Sequence, residues 1–293
     1  MSAINTSTTD NDPSRCHVKN CLSPVDIVLR SCDGQLFGTH TKNLETFSEG
    51  FPPSAWADTT RVEIVDLSER GPVLRLLLGF MHNASFPELD RVLLKDILEL
   101  DIASRKYGCV HASEACRNIL KKRGMKGYEA VDILRHKHKI SDNTDIEDIA
   151  RGGARYTKSS VDPNAFRLQE DALARSSPML YDSWIRYKIA WQRWNHDFEN
   201  NMHGTRFDYH HFAPSWEDKW CPTLEEVAWS MYMIISEIGD FPTLELFERA
   251  LSLCEAMGKE LWDCELEDCE APEDWPKKMR QHFSEEPRWA DFL

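Results

Sequence analysis

Nine cysteines and eleven histidines carry most of the reactive chemistry that this 293-residue chain has to offer. Cys264 and Cys269, with four residues between them, could join Cys254 and Cys221, or His203, His210 and His211, in a tetrahedral zinc set. The spacing is looser than the tight Cys-x2-Cys or His-x3-His pairs that zinc usually takes, and Cys254 also falls on an apolar helix stripe. Buried or free thiols explain the same residues. His40 invites a catalytic reading, because Asp33 lies nearby in the same hairpin and could orient an imidazole. Gly152 to Ser159 ends in Lys158-Ser159 as a phosphate loop does, but Thr157 replaces the glycine that would let backbone amides reach phosphate. The segment before it reads as helix where that motif needs a strand. The chain has no Gly-x-Ser-x-Gly elbow, no His-Glu-x-x-His helix and no dinucleotide glycine pattern. These residues argue against an enzyme and call for no cofactor.

The bulk properties narrow the class further. A formal charge of −14 opposes nonspecific attraction to nucleic acid, whose binding rests on basic side chains displacing counterions. The nearest basic patch, Lys121-Lys122-Arg123 with Arg135-His-Lys-His-Lys139, reads as a solvated helix face. Hydrophobic residues at 41%, charged residues at 29% and ten tryptophans suit an ordered globular chain, with order expected from about residue 23. The opening Met-Ser-Ala-Ile-Asn-Thr lacks the basic-then-apolar plan of a signal peptide, and the odd cysteine count shows no regular close pairing. A reducing compartment, cytoplasmic or nuclear, is the expectation. The apolar runs Leu74–Met81 and Met231–Ile235 are far shorter than the ~20 residues a membrane span needs.

The elements that would position these groups begin at Asp26. Ile27, Val28 and Leu29 read as a strand, Asp33-Gly34 as a two-residue turn, and Gln35 to Thr39 as the returning strand. From His40 onward Leu44, Phe47 and Phe51 recur at helical spacing. Val62 to Leu67 alternates as a third strand. Pro72 opens a helix to Met81 in which Val73, Leu74, Leu76, Leu77, Leu78 and Phe80 leave almost no polar side, which marks it as the core. Leu93, Ile97, Leu100 and Tyr107 stripe the next helix, ended by Gly108 as a left-handed cap. Ala112, Cys116, Ile119 and Leu120 form another, closing at Gly124. A helical pair follows from Tyr128 to Tyr156, with Thr144 and Glu147 at capping-box spacing.

Asp26 with its strand, Asp33-Gly34, Phe37, His40, Leu44, Ser48 and Phe51, then the buried helix and Lys106-Tyr107, resemble the BTB/POZ family in their order. The similarity is greatest to the large group of fungal BTB proteins and covers about a third of the chain. It implies an α+β fold in which a small sheet with helices is followed by a mostly α-helical region. In that family the equivalent of His40 is a fixed part of the fold without catalysis. A hydrophobic-x-acidic motif before the third strand helps BTB proteins of ubiquitin ligases dock a cullin scaffold, and Trp56-Ala57-Asp58 is similar to it. A tryptophan packing under a loop would explain the same three residues. Some transcription-repressing members pair the acid at the Asp33 position with a base directly after the histidine. Here Thr41 stands there, with Lys42 following.

The expected organisation is a flexible tail over 1–22, a BTB/POZ-like domain over 23–126, a helical hairpin over 127–160 and an aromatic-rich helical region over 161–293. In the last, Leu180, Trp184, Tyr187, Trp191, Trp194 and Phe198 form one helix face. Helices from Thr223 and Leu244 follow. Animal members of the family commonly dimerise through elements placed before the first strand. Only Cys16, Val18, Cys21 and Leu22 are available here, so a homodimer stays open but weakened. The functional expectation is a non-catalytic protein-protein interaction module, an adaptor or scaffold, with Trp56, Asp58, Asp33 and Lys42 at its partner surface. The alternative is a metal-stabilised or ligand-binding protein whose activity lies in residues 160–293, with Cys264 and Cys269 as ligands.

Overall fold

The Asp33-Gly34 turn sets the first element pair, because Gly34 sits at φ +81°, where a residue with a Cβ is strained. It joins β1 (Ile27–Arg30) and β2 (Leu36–Thr39), antiparallel with Ile27 opposite Thr39 and Arg30 opposite Leu36. Val28, Leu29 and Phe37 are buried. β3 (Glu63–Asp66) lies parallel to β1 on its other side, giving the sheet order β2-β1-β3. The computed structural model describes residues 13–18, 21–51, 63–82, 85–159, 163–203, 244–245, 247–248, 252 and 275–293. The described chain is mixed α+β and mostly helical, with this three-stranded sheet.

Side chains from the hairpin cap the helices that follow it. α1 (Thr41–Phe47) starts after an extended His40 that gives no side-chain cap. The Asp26 carboxylate accepts the Thr41 N–H and the Thr41 hydroxyl instead, both at 2.8 Å, and so satisfies a first-turn donor that the helix cannot. α2 (Gly71–Phe80) receives the same service from the turn: Asp33 Oδ1 accepts the Gly71 N–H at 2.9 Å. Val73, Leu74, Leu77, Leu78 and Phe80 of α2 are all buried. At about 1.5–3 kcal/mol for each fully buried large apolar side chain, this short helix is the densest source of hydrophobic stabilisation in the sheet region.

α3 (Leu94–Lys106), α4 (Val110–Met125), α5 (Ala130–Lys139), α6 (Ile146–Ser159) and α7 (Pro163–Ser176) follow. Two local expectations differ from the structure. Leu93 is no part of the α3 stripe; it is the extended residue before the helix, 71% exposed. α4 ends at Met125, one residue past Gly124, and Gly127 follows in the left-handed conformation at φ +87°. Gly124 also serves packing, since a Cβ there would come within 2.8 Å of Ile149. Thr144 does not stand at the N-cap, because α6 starts at Ile146 and Asp145 between them is left-handed at φ +56°; the Thr144 hydroxyl and N–H donate to Asp142 Oδ1 at 2.7 and 2.9 Å. Gly108, at φ +64°, ends α3 as its position implies.

The chain divides into two compact units, Met1–Tyr181 and Asp182–Leu293, within the first turn of α8 (Pro178–His203). α7 packs on α5 in the first unit. In the second, Trp184, Tyr187, Trp191 and Trp194 of α8 are buried, together with Trp289 and with Phe283 of α9 (Trp275–Ser284). Tyr187 meets Trp289 edge-on at 5.4 Å, and the Trp194 indole N–H donates to the His282 carbonyl at 2.9 Å. The periodic aromatic face is therefore a packing seam. No helix among the described residues is long and apolar enough to cross a membrane.

Candidate metal centre

Cys16, Cys21, His40 and His82 converge in the first unit, each offering one ligand atom, and these four atoms all lie within 4.8 Å of one another. Cys16 Sγ is 3.5 Å from His82 Nε2, and Cys21 Sγ is 3.2 Å from His40 Nε2. The two imidazole rings meet at a centroid distance of 5.6 Å. Both histidines are buried and both cysteines partly buried.

Each of the four residues is placed by a different piece of local structure. His40 is the residue between β2 and α1, and its other ring nitrogen, Nδ1, donates to the Pro24 carbonyl at 2.9 Å. That bond fixes the tautomer with a lone pair on Nε2, the nitrogen that faces Cys21. His82 directly follows Met81, the C-cap of α2. Cys16 lies beside β2, where it forms a parallel bridge with Gly38. The neighbouring His17 N–H donates to the Gly38 carbonyl at 3.4 Å, and the His17 ring meets Phe37 edge-on at 5.8 Å. Gly38 makes this approach sterically feasible. A Cβ there would stand 2.5 Å from the Pro13 carbonyl oxygen and 2.6 Å from that of Arg15. Residues 13–18, read from sequence as part of a flexible tail, are thus laid along the edge of the sheet.

Burial shapes the electrostatics of this corner. It pushes the Cys16 thiol up to about 11, so without a cation beside it the sulfur stays protonated. It also lowers His17 to about 4, and together with the neighbouring His40 ring it lowers His82. Two soft sulfurs and two borderline nitrogens with no carboxylate among them suit zinc, and not calcium or magnesium, which take oxygen ligands.

A second polar cluster joins α3 to α5 and uses the basic run that the sequence places on a solvated face. His136 and Lys137 are instead buried, at 6% and 2% exposure. His136 Nε2 donates to Asp101 Oδ2 at 2.8 Å, and Lys137 Nζ lies 3.2 Å from Asp142 Oδ2. Arg105 bridges the two acids, 3.3 Å from Asp101 and 2.6 Å from Asp142. Burial works to raise the Asp142 carboxyl, but two hydrogen bonds from Thr144 and the Lys137 ammonium outweigh it and hold the group well below the usual carboxylate range. Lys121, Lys122 and Arg123 are likewise paired, with Asp145, Asp90 and Glu129. Most of the basic run is spent on ion pairs within the fold, while His138 and Lys139 are exposed.

The residues singled out by sequence fare unevenly. Asp33 is exposed, but its carboxylate accepts from Ser31 Oγ at 2.5 Å, from Gly71 N and from Gln35 Nε2, and the Ser31 bond most strongly lowers its pKa. Lys42 is exposed in the first turn of α1, and no ion pair or hydrogen bond joins it to Asp33 among the described residues. His40 does not use Asp33 either; its partners are Pro24 and Cys21. Trp56, Asp58, Cys264 and Cys269 lie outside the described residues. The sequence did not group Cys16, Cys21 and His82 with His40. The available signal was a Cys-x4-Cys spacing equal to that of Cys264 and Cys269. No protein-family model matches the chain, and no curated protein matches it.

Proposed function

We propose that this chain is a non-catalytic protein-interaction module of the BTB/POZ type, an adaptor or scaffold for ubiquitin-ligase or transcription-related assemblies in the cytosol or nucleus. The observation that carries the reading is the order of elements: a hairpin running through His40 into α1, β3 returning parallel to β1, and the buried α2 behind them. The Lys106-Tyr107 pair supports it. Lys106 Nζ and the Tyr107 hydroxyl both reach Glu69, at 2.8 and 2.7 Å, tying the end of α3 to the segment after β3. An open groove of about 840 Å³ along α3 and α5, lined by Leu94, Leu98, Glu99, Ile102, Asp132 and Arg135, offers a mixed apolar and charged surface to another protein.

Binding of a cullin N-terminal domain to the wild type and to a Trp56→Ala, Asp58→Ala variant tests the adaptor role. The expected result is binding that the double variant loses. Equal binding by both proteins, or none by either, removes the cullin from the proposal. Light scattering across a concentration series tests self-association, and a constant monomer mass would remove the homodimer.

A further inference from the structure

We infer that Cys16, Cys21, His40 and His82 bind one structural zinc ion that clips the N-terminal segment to the sheet and to the end of α2. A tetrahedral centre with Zn–S near 2.3 Å and Zn–N near 2.0–2.1 Å separates sulfur from nitrogen by about 3.5 Å. The observed pairs at 3.5 and 3.2 Å already stand at that spacing, so the four atoms close on a metal with small side-chain movements. The Pro24 carbonyl on His40 Nδ1 is the outer partner that a metal-bound imidazole ordinarily has. Binding releases the two thiol protons to solvent, and two thiolates with Zn²⁺ give a centre of zero net charge, which a partly buried pocket tolerates. Four protein ligands leave no open position for water or substrate, so the centre is structural and not catalytic.

The ligands come from three separate stretches, and residues 13–18 bring few core side chains of their own. The ion would therefore supply most of what holds this segment across β2. Among the described residues β2 is an edge strand, and the Cys16 bridge to Gly38 covers its free side. Zinc occupancy thus decides whether that edge is closed to pairing by another strand. The inference does not depend on the BTB-type reading, and its tests bear on the metal alone.

The full chain, purified without a metal-affinity tag or chelator, is expected to carry zinc by elemental analysis. A Cys16→Ser, Cys21→Ser variant is expected to hold one equivalent less, whereas Cys264→Ser, Cys269→Ser changes nothing at this site. To guard against a variant that fails to fold, wild-type protein stripped of metal and refolded with Co²⁺ should show the visible bands of tetrahedral cobalt with a thiolate charge-transfer band. Trypsin should cut after Arg15 about tenfold faster once a chelator removes the ion. The inference is overturned by wild type that binds no metal, by a zinc count unchanged in the Cys16, Cys21 variant, or by alkylation mapping that finds these two cysteines joined as a disulfide.

Discussion

Two buried histidines of the first unit, His40 and His136, meet opposite fates. His136 faces a carboxylate, Asp101, at 2.8 Å inside a cluster where Lys137, Arg105 and Asp142 compensate one another. His40 faces a thiol, and its remaining ring nitrogen is already used by a backbone carbonyl. The first cluster is electrically complete as it stands. The second has four donor atoms turned toward one point and no charge to hold them there. A metal cation would complete the second, while at the first it would have to displace cations already in place.

The largest expected effect comes from breaking the completed cluster. Asp142→Ala leaves the Lys137 ammonium buried without its acid and should cost about 3–5 kcal/mol, read from urea unfolding. Lys137→Met should cost much less, because Asp142 keeps Arg105 and Thr144. Equal losses from both would mean that the Lys137–Asp142 pair carries the whole effect and that Arg105 gives Asp142 no compensation.

The histidines then separate the two clusters directly. His136→Ala removes a buried hydrogen bond to a charged group and should destabilise by about 1.5–3 kcal/mol with the zinc content unchanged. His40→Ala should lower the zinc content by one equivalent. If both variants lose the ion, or neither does, the contrast between the clusters fails.

Acid should sharpen the comparison further. The folded-state pKa of Asp142 lies below its unfolded value, so its contribution is fully present above about pH 4 and falls away as pH drops through the folded value. Asp142→Asn should flatten the acid limb of the stability curve below about pH 4. The wild type and the variant following one another throughout that range would show that the pairing contributes nothing.

The smallest effect is expected at Gly38. Alanine there would push its Cβ against the Pro13 and Arg15 carbonyl oxygens, which belong to backbone and give way only if the segment lifts. A loss of about 1–3 kcal/mol is expected, with weaker zinc retention. An unchanged zinc affinity in Gly38→Ala would show that the segment reaches the ligands without lying on β2.

Much of the framework could be read along the chain. The Asp33-Gly34 turn, the strands beside it, the apolar run of α2 and the Gly108 cap each depend on residues within a few positions of one another, and all appear in the fold. Errors arose where a tertiary partner outcompeted the local rule. Asp142 took the hydroxyl of Thr144. His136 and Lys137 looked solvent-facing because their partners, Asp101 and Asp142, lie outside the helical register of α5.

The sequence alone determined which elements form, since periodicity and turn chemistry act over single turns and strands. It also supplied two Cys-x4-Cys pairs with nothing to choose between them. Only the tertiary structure decided that Cys16 and Cys21 meet two histidines, because His40 stands 19 residues from Cys21 and His82 stands 66 from Cys16. Spacings of that size carry no ligand signal. The hairpin, the close approach allowed by Gly38 and the end of α2 turn them into contacts of a few ångströms.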